Sequence, residues 1–281
     1  MNCSRKESRT ENKRKSCKAI FTDVDGTLVD TRSSIMPLTA AAIRSCIKEG
    51  IHVVLISGRG ASGIYTVLDE YRLRCPLIAC SGSLIMDEDR KILYNRSITA
   101  AKAKEVADFV KRRGFDMAVG IYSVDDWMVE DPEDWRIRRE ADYIKTRPRQ
   151  QTFDQIPDDR PVNKLLCICE PEDILAYEKE LAEAFPDLTV VKSASTLIEI
   201  MAHGVDKAEA LERMCRHLGV SLEETIAFGD SYNDLGMLQM AGTAVVMGNA
   251  PEDIRSRFDY VTEDNEHEGI YLALKDLGFP V

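Results

Sequence analysis

The sequence predicts an α/β protein in which strands and helices alternate at both ends of the chain around a middle segment of different character. Three observations carry this reading. Short apolar runs ending in polar residues recur at 18–22, 52–56, 76–80, 225–228 and 243–247. Within each end of the chain, helical periodicity separates one run from the next, which implies right-handed crossovers and a parallel sheet covered on both faces. Between about 85 and 202 the alternation gives way to paired strands and longer helices.

Taken in order, 18–22 is expected to be a buried strand that stops at Asp23 and Asp25, with Gly26 letting the backbone turn directly beyond them. Two acids two residues apart project to the same side of an extended chain. A helix over 38–48 follows, closed by Gly50 as its C-terminal cap. The second strand, 52–56, ends in Ser57, Gly58 and Arg59; a helix through Ile64 to Tyr71 leads to the third strand, 76–80. Late in the chain a helix over 207–218 places Leu211, Met214, Cys215 and Leu218 on one stripe. The strand at 225–228 runs into GDSYNDLGM, whose second half opens a helix to Met240, and 243–247 is a further strand. Pro251 is expected at the first position of a helix, and the last helix spans 268–277.

Residues 18–84 and 203–281 therefore form a Rossmann-like parallel-sheet core, and 85–202 an inserted α+β domain with an antiparallel sheet. Within the insertion, Tyr122, Trp127 and Trp135 read as core aromatics before they read as a substrate cleft, and Arg136, Arg138 and Arg139 as a solvated face. Residues 1–17, polar and rich in Lys and Arg, are expected to be a disordered tail.

Hydrophobic residues at 44% and charged residues at 30% are those of a globular domain, and no apolar run reaches the length of a membrane span. The formal charge of -11 argues against general nucleic-acid binding, which needs a basic surface, but leaves room for a small phosphate ester in a local pocket. Eight cysteines form no CxxC pair and do not cluster with the four histidines, so buried reduced thiols in a cytoplasmic protein are expected. The chain gives no signal that separates a monomer from a homodimer.

In an open parallel sheet the ligand sits beyond the carboxyl ends of the strands. Asp23 and Asp25, then Ser57 and Gly58, then Asp230 and Asp234 each follow such an end, and Lys207 at a helix start adds a cation where the helix dipole does not favour one. Carboxylates so crowded repel one another unless a cation or a shared proton compensates them. Mg2+ fits best, because it takes oxygen ligands and keeps exchangeable waters that phosphate oxygens replace. A carboxylate held there can attack phosphorus and form an aspartyl phosphate, while a second carboxyl protonates the leaving group and then activates water.

DVDGT with Asp23 and Asp25, Ser57 after its strand, Lys207, and GDSYNDLGM with Asp230 and Asp234 resemble, in order and spacing, the four motifs of the haloacid dehalogenase-like superfamily. LISGR, CSGSLI, LIEIMAHGVDKAEAL and AFGDSYNDLGML are similar to its Cof-like phosphatase branch, in which an α/β cap is inserted between the second and third motifs. The resemblance covers 18–281. It implies Asp23 as nucleophile, Asp25 as general acid and base, and a Mg2+ site from Asp23, the Asp25 carbonyl and Asp230, supported by Asp234. It also implies phosphate binding by Thr27, Ser57, the Gly58 amide, Lys207 and Asn233. Family members commonly carry Asn where this chain has Ser81, which bears on the hinge and the substrate rim. The activity implied is hydrolysis of a small phosphorylated metabolite, such as a sugar phosphate, nucleotide or phosphorylated cofactor. A phosphosugar mutase of the same superfamily and a receiver-like signalling module are the alternatives that the same residues admit.

Overall fold

The computed structural model describes residues 16–281. Most of the expected tail, residues 1–15, lies outside the described residues. Cys17, counted within that tail, is buried and packs into the core.

The chain opens with β1 (Ala19–Asp23), α1 (Pro37–Lys48), β2 (His52–Ile56), α2 (Ala61–Tyr71) and β3 (Leu77–Ala79). Two short strands, β4 (Leu84–Met86) and β5 (Ile92–Asn95), follow before β6 (Ile98–Thr99) and α3 (Ala100–Arg113). The middle of the chain supplies β7 (Met117–Ser123), β8 (Asp126–Val129), α4 (Trp135–Tyr143), β9 (Arg149–Gln150), β10 (Pro161–Val162) and β11 (Lys164–Cys169). It continues with α5 (Ile174–Ala184), β12 (Leu188–Lys192) and β13 (Leu197–Ala202). The chain then returns through α6 (Lys207–Leu218), β14 (Thr225–Gly229), α7 (Leu235–Met240), β15 (Thr243–Val246), α8 (Glu252–Arg255) and α9 (Gly269–Asp276).

A seven-stranded sheet runs β15-β14-β1-β2-β3-β4-β5, with its first five strands parallel and the last two antiparallel. Both faces are covered. Ile20, Leu55 and Phe228 pack on one side, and Phe21, Val54, Ile56 and Ala227 on the other, which is why these strands read as continuous apolar runs. The sheet extends past residue 84, where the sequence placed the start of the insertion. Cys80, Ser81 and Gly82 all adopt positive φ, so the chain doubles back after β3, and β4 and β5 pair onto the sheet edge. Ser81 holds this conformation with φ of 56°, a backbone that Asn tolerates better than Ser. Pro251 is the N-cap of α8, one residue before its expected place at the first helical position.

Six strands from the middle of the chain form a second sheet, β12-β13-β11-β7-β8-β9, antiparallel except for β8 with β9. Alternation decides its two faces. Met117, Ile121, Leu165, Cys167, Ile198 and Ile200 join a core with α3 and α5 residues such as Val106 and Leu181. Ala118, Tyr122, Leu166 and Ile168 point the other way, into the cluster that continues under the large sheet. Pairing of Tyr122 with Lys164 and of Leu166 with Glu199 puts Tyr122, Lys164 and Glu199 on this second face. Among the described residues the seven cysteines are free and buried, and no helix is long and apolar enough to cross a membrane.

Candidate active site

The parallel register brings the ends of β1, β2 and β14 to one rim, with Asp23 opposite Ile56 and Thr22 opposite Phe228. Loops leaving these ends carry Asp25, Ser57 and Asp230. Lys207 enters at the first turn of α6, where the Asp206 side chain caps the helix by accepting from the Glu209 amide at 2.7 Å. Its side chain is fully buried, and Nζ donates to Asp23 Oδ1 at 2.5 Å and Asp234 Oδ1 at 2.6 Å. Those two bonds explain a lysine that the helix dipole alone does not favour.

Asp234 is held from its other side as well, since Oδ2 accepts from the amides of Asp230 and Ser231, both at 3.0 Å. Thr27, expected at phosphate, lies at the rim, and its hydroxyl donates to Asp230 Oδ1 at 2.7 Å. Gly26, with φ of +81°, passes so close to Asp230 that a Cβ there would lie 2.5 Å from Oδ2. A side chain at 26 would displace the aspartate.

Carboxylate oxygens of Asp23, Asp230 and Asp234 lie within 4.8 Å of one another. Burial, only partly offset by Lys207, pushes the Asp23 carboxyl well above the usual carboxylate range, with Asp234, Asp230 and Asp25 adding repulsion. Burial also raises Asp230 to about 6, against the bond from Thr27. Lys207 is raised as well: burial opposes its charge, but Asp23 and Asp234 outweigh burial. Three converging carboxylates against a single ammonium fit a hard divalent cation with oxygen ligands. The Asp25 carboxylate stands outside this group.

Asp25 instead faces Arg59, which donates to Oδ2 through Nε at 2.9 Å and to Oδ1 through Nη2 at 2.6 Å. Arg59 is nearly buried and also donates to Ser33 Oγ at 2.8 Å. Tyr143, from α4 in the middle segment, donates its hydroxyl to the same Asp25 Oδ1 at 3.0 Å. The two acids of the opening motif thus have separate partners: lysine for Asp23, arginine and tyrosine for Asp25.

These groups open into a cavity of about 560 Å³ between the two sheets. Asp23, Asp25, Ser57, Gly58, Asp230 and Asn233 line the large-sheet side. Ser57 Oγ accepts from the Arg59 amide at 3.0 Å, and Asn233 is exposed at the rim, its Oδ1 accepting from Ser231 Oγ at 2.5 Å. Opposite stand Tyr122, Arg139, Glu140, Tyr143, Lys164 and Glu199.

Sequence reasoning placed none of Glu140, Tyr143, Lys164 or Glu199 in the site. A signal was present. Lys164 and Glu199 are lone charges in the apolar strands KLLCIC and LIEIMA, and such charges are buried only when partnered. Tyr122 is core, as expected, yet its ring also borders the cavity. Trp135 is exposed, against the core reading, with the guanidinium groups of Arg136 and Arg139 beside its ring. Arg136 pairs with Asp116 and Asp134, while Arg139 reaches the cavity.

The chain is similar to known proteins along almost its whole length. A Haemophilus influenzae protein named as a phosphatase is 32% identical over 92% of this chain and 97% of its own. The 5-amino-6-(5-phospho-D-ribitylamino)uracil phosphatase YwtE of Bacillus subtilis is 27% identical over 92% and 98%. Among solved structures, a haloacid dehalogenase-like hydrolase from Bacteroides thetaiotaomicron superposes with a TM-score of 0.84 at 27% identity, covering 92% of this chain and 98% of its own. The family model described as haloacid dehalogenase-like hydrolase matches residues 20–274, a span that holds every carboxylate of the rim together with Lys207, and the chain belongs to that family.

Proposed function

We propose that the protein is a phosphatase that hydrolyses a small phosphorylated metabolite through an aspartyl phosphate on Asp23. The observation that carries this reading is the separation of partners between Asp23 and Asp25. Asp23 is tied to Lys207, a cation suited to the charge of a transferring phosphoryl group. Asp25 lies outside the carboxylate cluster and faces the cavity, where a proton-transfer group belongs.

In the first step a carboxylate oxygen of Asp23 bonds to phosphorus as the bond to the leaving oxygen breaks, and Asp25 gives its proton to that oxygen. In the second, Asp25 takes a proton from water as the water attacks phosphorus, which releases phosphate and restores Asp23. Ser57, the Gly58 amide, Asn233 and Lys207 hold the phosphoryl oxygens, and Thr27 keeps Asp230 in place. Asp23, Asp230, Asp234 and the Asp25 carbonyl would hold Mg2+, the cation favoured by this oxygen donor set. When bound it neutralises the negative charge that gathers on the transferring oxygens.

The middle region serves as the cap, covering the rim and excluding water from the cavity. Its wall combines Arg139 and Lys164 with Glu140, Glu199 and two tyrosines, a mixed polar surface suited to the hydroxyls or ring of a metabolite rather than to an apolar group. YwtE, named for a phosphorylated ribitylamino-pyrimidine, exemplifies that class of leaving group.

The test is a panel of sugar phosphates, nucleotides and phosphorylated cofactors assayed with and without Mg2+. Stoichiometric free phosphate, dependent on Mg2+ and lost by more than about a thousandfold in Asp23→Asn, is expected. Full activity in that variant would reject the mechanism, and an isomerised sugar phosphate without free phosphate would point to a mutase.

A further inference from the structure

Lys164 and Glu199 are the most deeply buried charges on the cap wall, 3% and 4% exposed. Lys164 Nζ donates to Glu199 Oε1 at 3.0 Å and, across the junction between the sheets, to the carbonyl oxygen of Gly58 at 2.6 Å. Glu199 Oε2 accepts from Ser81 Oγ at 3.3 Å, and the Ser81 amide donates to the Ser57 carbonyl at 2.9 Å. Lys164 thus meets the loop that follows β2 directly, and Glu199 meets it through Ser81. The Tyr122 ring seals the same junction, packing on Gly60 so closely that any side chain there would collide with it.

The peptide between Gly58 and Arg59 is gripped at both ends. Its carbonyl oxygen takes the lysine ammonium, and its N–H donates to Ser57 Oγ at 3.0 Å. An ammonium on the oxygen of a peptide strengthens the bond made by its N–H. With that N–H on its oxygen, the Ser57 hydroxyl keeps its own hydrogen for another acceptor at the cavity wall. A buried ion pair is costly as mere glue, since apolar residues of the same volume join two surfaces at least as well.

We infer that Lys164 and Glu199 are positioning residues for phosphate binding: through the Gly58–Arg59 peptide they fix Ser57 as a hydroxyl donor, and they do so only while cap and large sheet are docked. This inference rests on the phosphatase reading for the identity of the ligand. It makes the phosphate-binding loop a shared product of both regions, completed by two residues of the cap wall that act on phosphate through that peptide.

The experiment measures binding of inorganic phosphate by calorimetry in the presence of Mg2+, beside turnover of p-nitrophenyl phosphate. Removing Lys164 alone would strand a buried carboxylate, so the variant is K164M/E199Q, made with Ser57 intact and with S57A. The expected result is a Kd about tenfold higher with Ser57 intact and less than about twofold higher in the S57A background, the non-additivity of residues acting through one another. K164Q/E199Q, which restores an N–H donor at that position, is expected to recover the Kd to within about threefold of the parent, a rescue that a packing role would not produce. An equal loss in both backgrounds, no loss, or no recovery with Gln overturns the inference. Absence of phosphate binding by the parent protein overturns it too. Phosphate binding without turnover of any ester rejects the phosphatase reading and leaves the positioning result to stand on the Kd values.

Discussion

On the wall of the cavity built by the large sheet, Asp23, Asp230, Asp234 and Lys207 come from distant stretches of chain and bond mainly to one another or to their own loops. On the opposite wall, Tyr143 and Lys164 send their polar atoms across the gap, to Asp25 and Gly58. The first wall is a self-contained charge cluster whose geometry is set by strand ends. The second acts on the first, so its contribution depends on the two sheets staying together. Chemistry and its control are thus divided between regions with different folding logic.

The largest effect that probes this division is expected from Asp25→Asn. It keeps the shape that Arg59 and Tyr143 grip but removes proton transfer, and kcat should fall by about 10²- to 10⁴-fold with little change in phosphate affinity. A loss confined to KM would mean that Asp25 binds substrate instead. Tyr143→Phe tests the crossing contact itself. Loss of one hydrogen bond of about 1 kcal/mol predicts a kcat roughly fivefold lower, and steady-state kinetics on two esters with unlike leaving groups should show the same ratio. A loss that differs between the esters would assign Tyr143 to the leaving group.

The smallest effect is thermal. Asp230 titrates near 6 in the folded, metal-free chain, well above its ordinary value, so folding there favours the protonated form. Stability of the metal-free protein is therefore highest below about pH 4 as far as this group is concerned, and declines as pH rises from there through 6. Mg2+ bound to the ionised cluster, as proposed, would reverse that penalty, so the gain in Tm on adding Mg2+ should be larger at pH 7 than at pH 5. An equal gain at both values would show that the cluster is not where the cation binds.

How far the sequence could be read follows the same division. Asp23, Ser57 and Asp230 were legible because each lies directly beyond an apolar run, and a parallel sheet gathers such positions at one rim whatever its side chains. Thr27 sits in the right loop, but its hydroxyl has two possible acceptors, and only the approach of Asp230 past Gly26 decides between them. The two strands that extend the large sheet beyond residue 84 were not legible, because β4 and β5 are three and four residues long, too short to show a period. Glu199 and Lys164 carried a detectable anomaly, charge inside apolar strands, without any sign of what each would meet.

The sequence by itself determined the alternation of the core strands and helices, the rim where the carboxylates meet and the need for a compensating cation or shared proton, because period and charge repulsion are local or pairwise properties of the chain. Tertiary structure alone decided that Asp25 is held by Arg59 and a tyrosine from the other sheet, and that a buried lysine more than a hundred residues away pins the loop after β2. Those contacts depend on how two separately built sheets dock, and no spacing within either one specifies the distance across the gap between them.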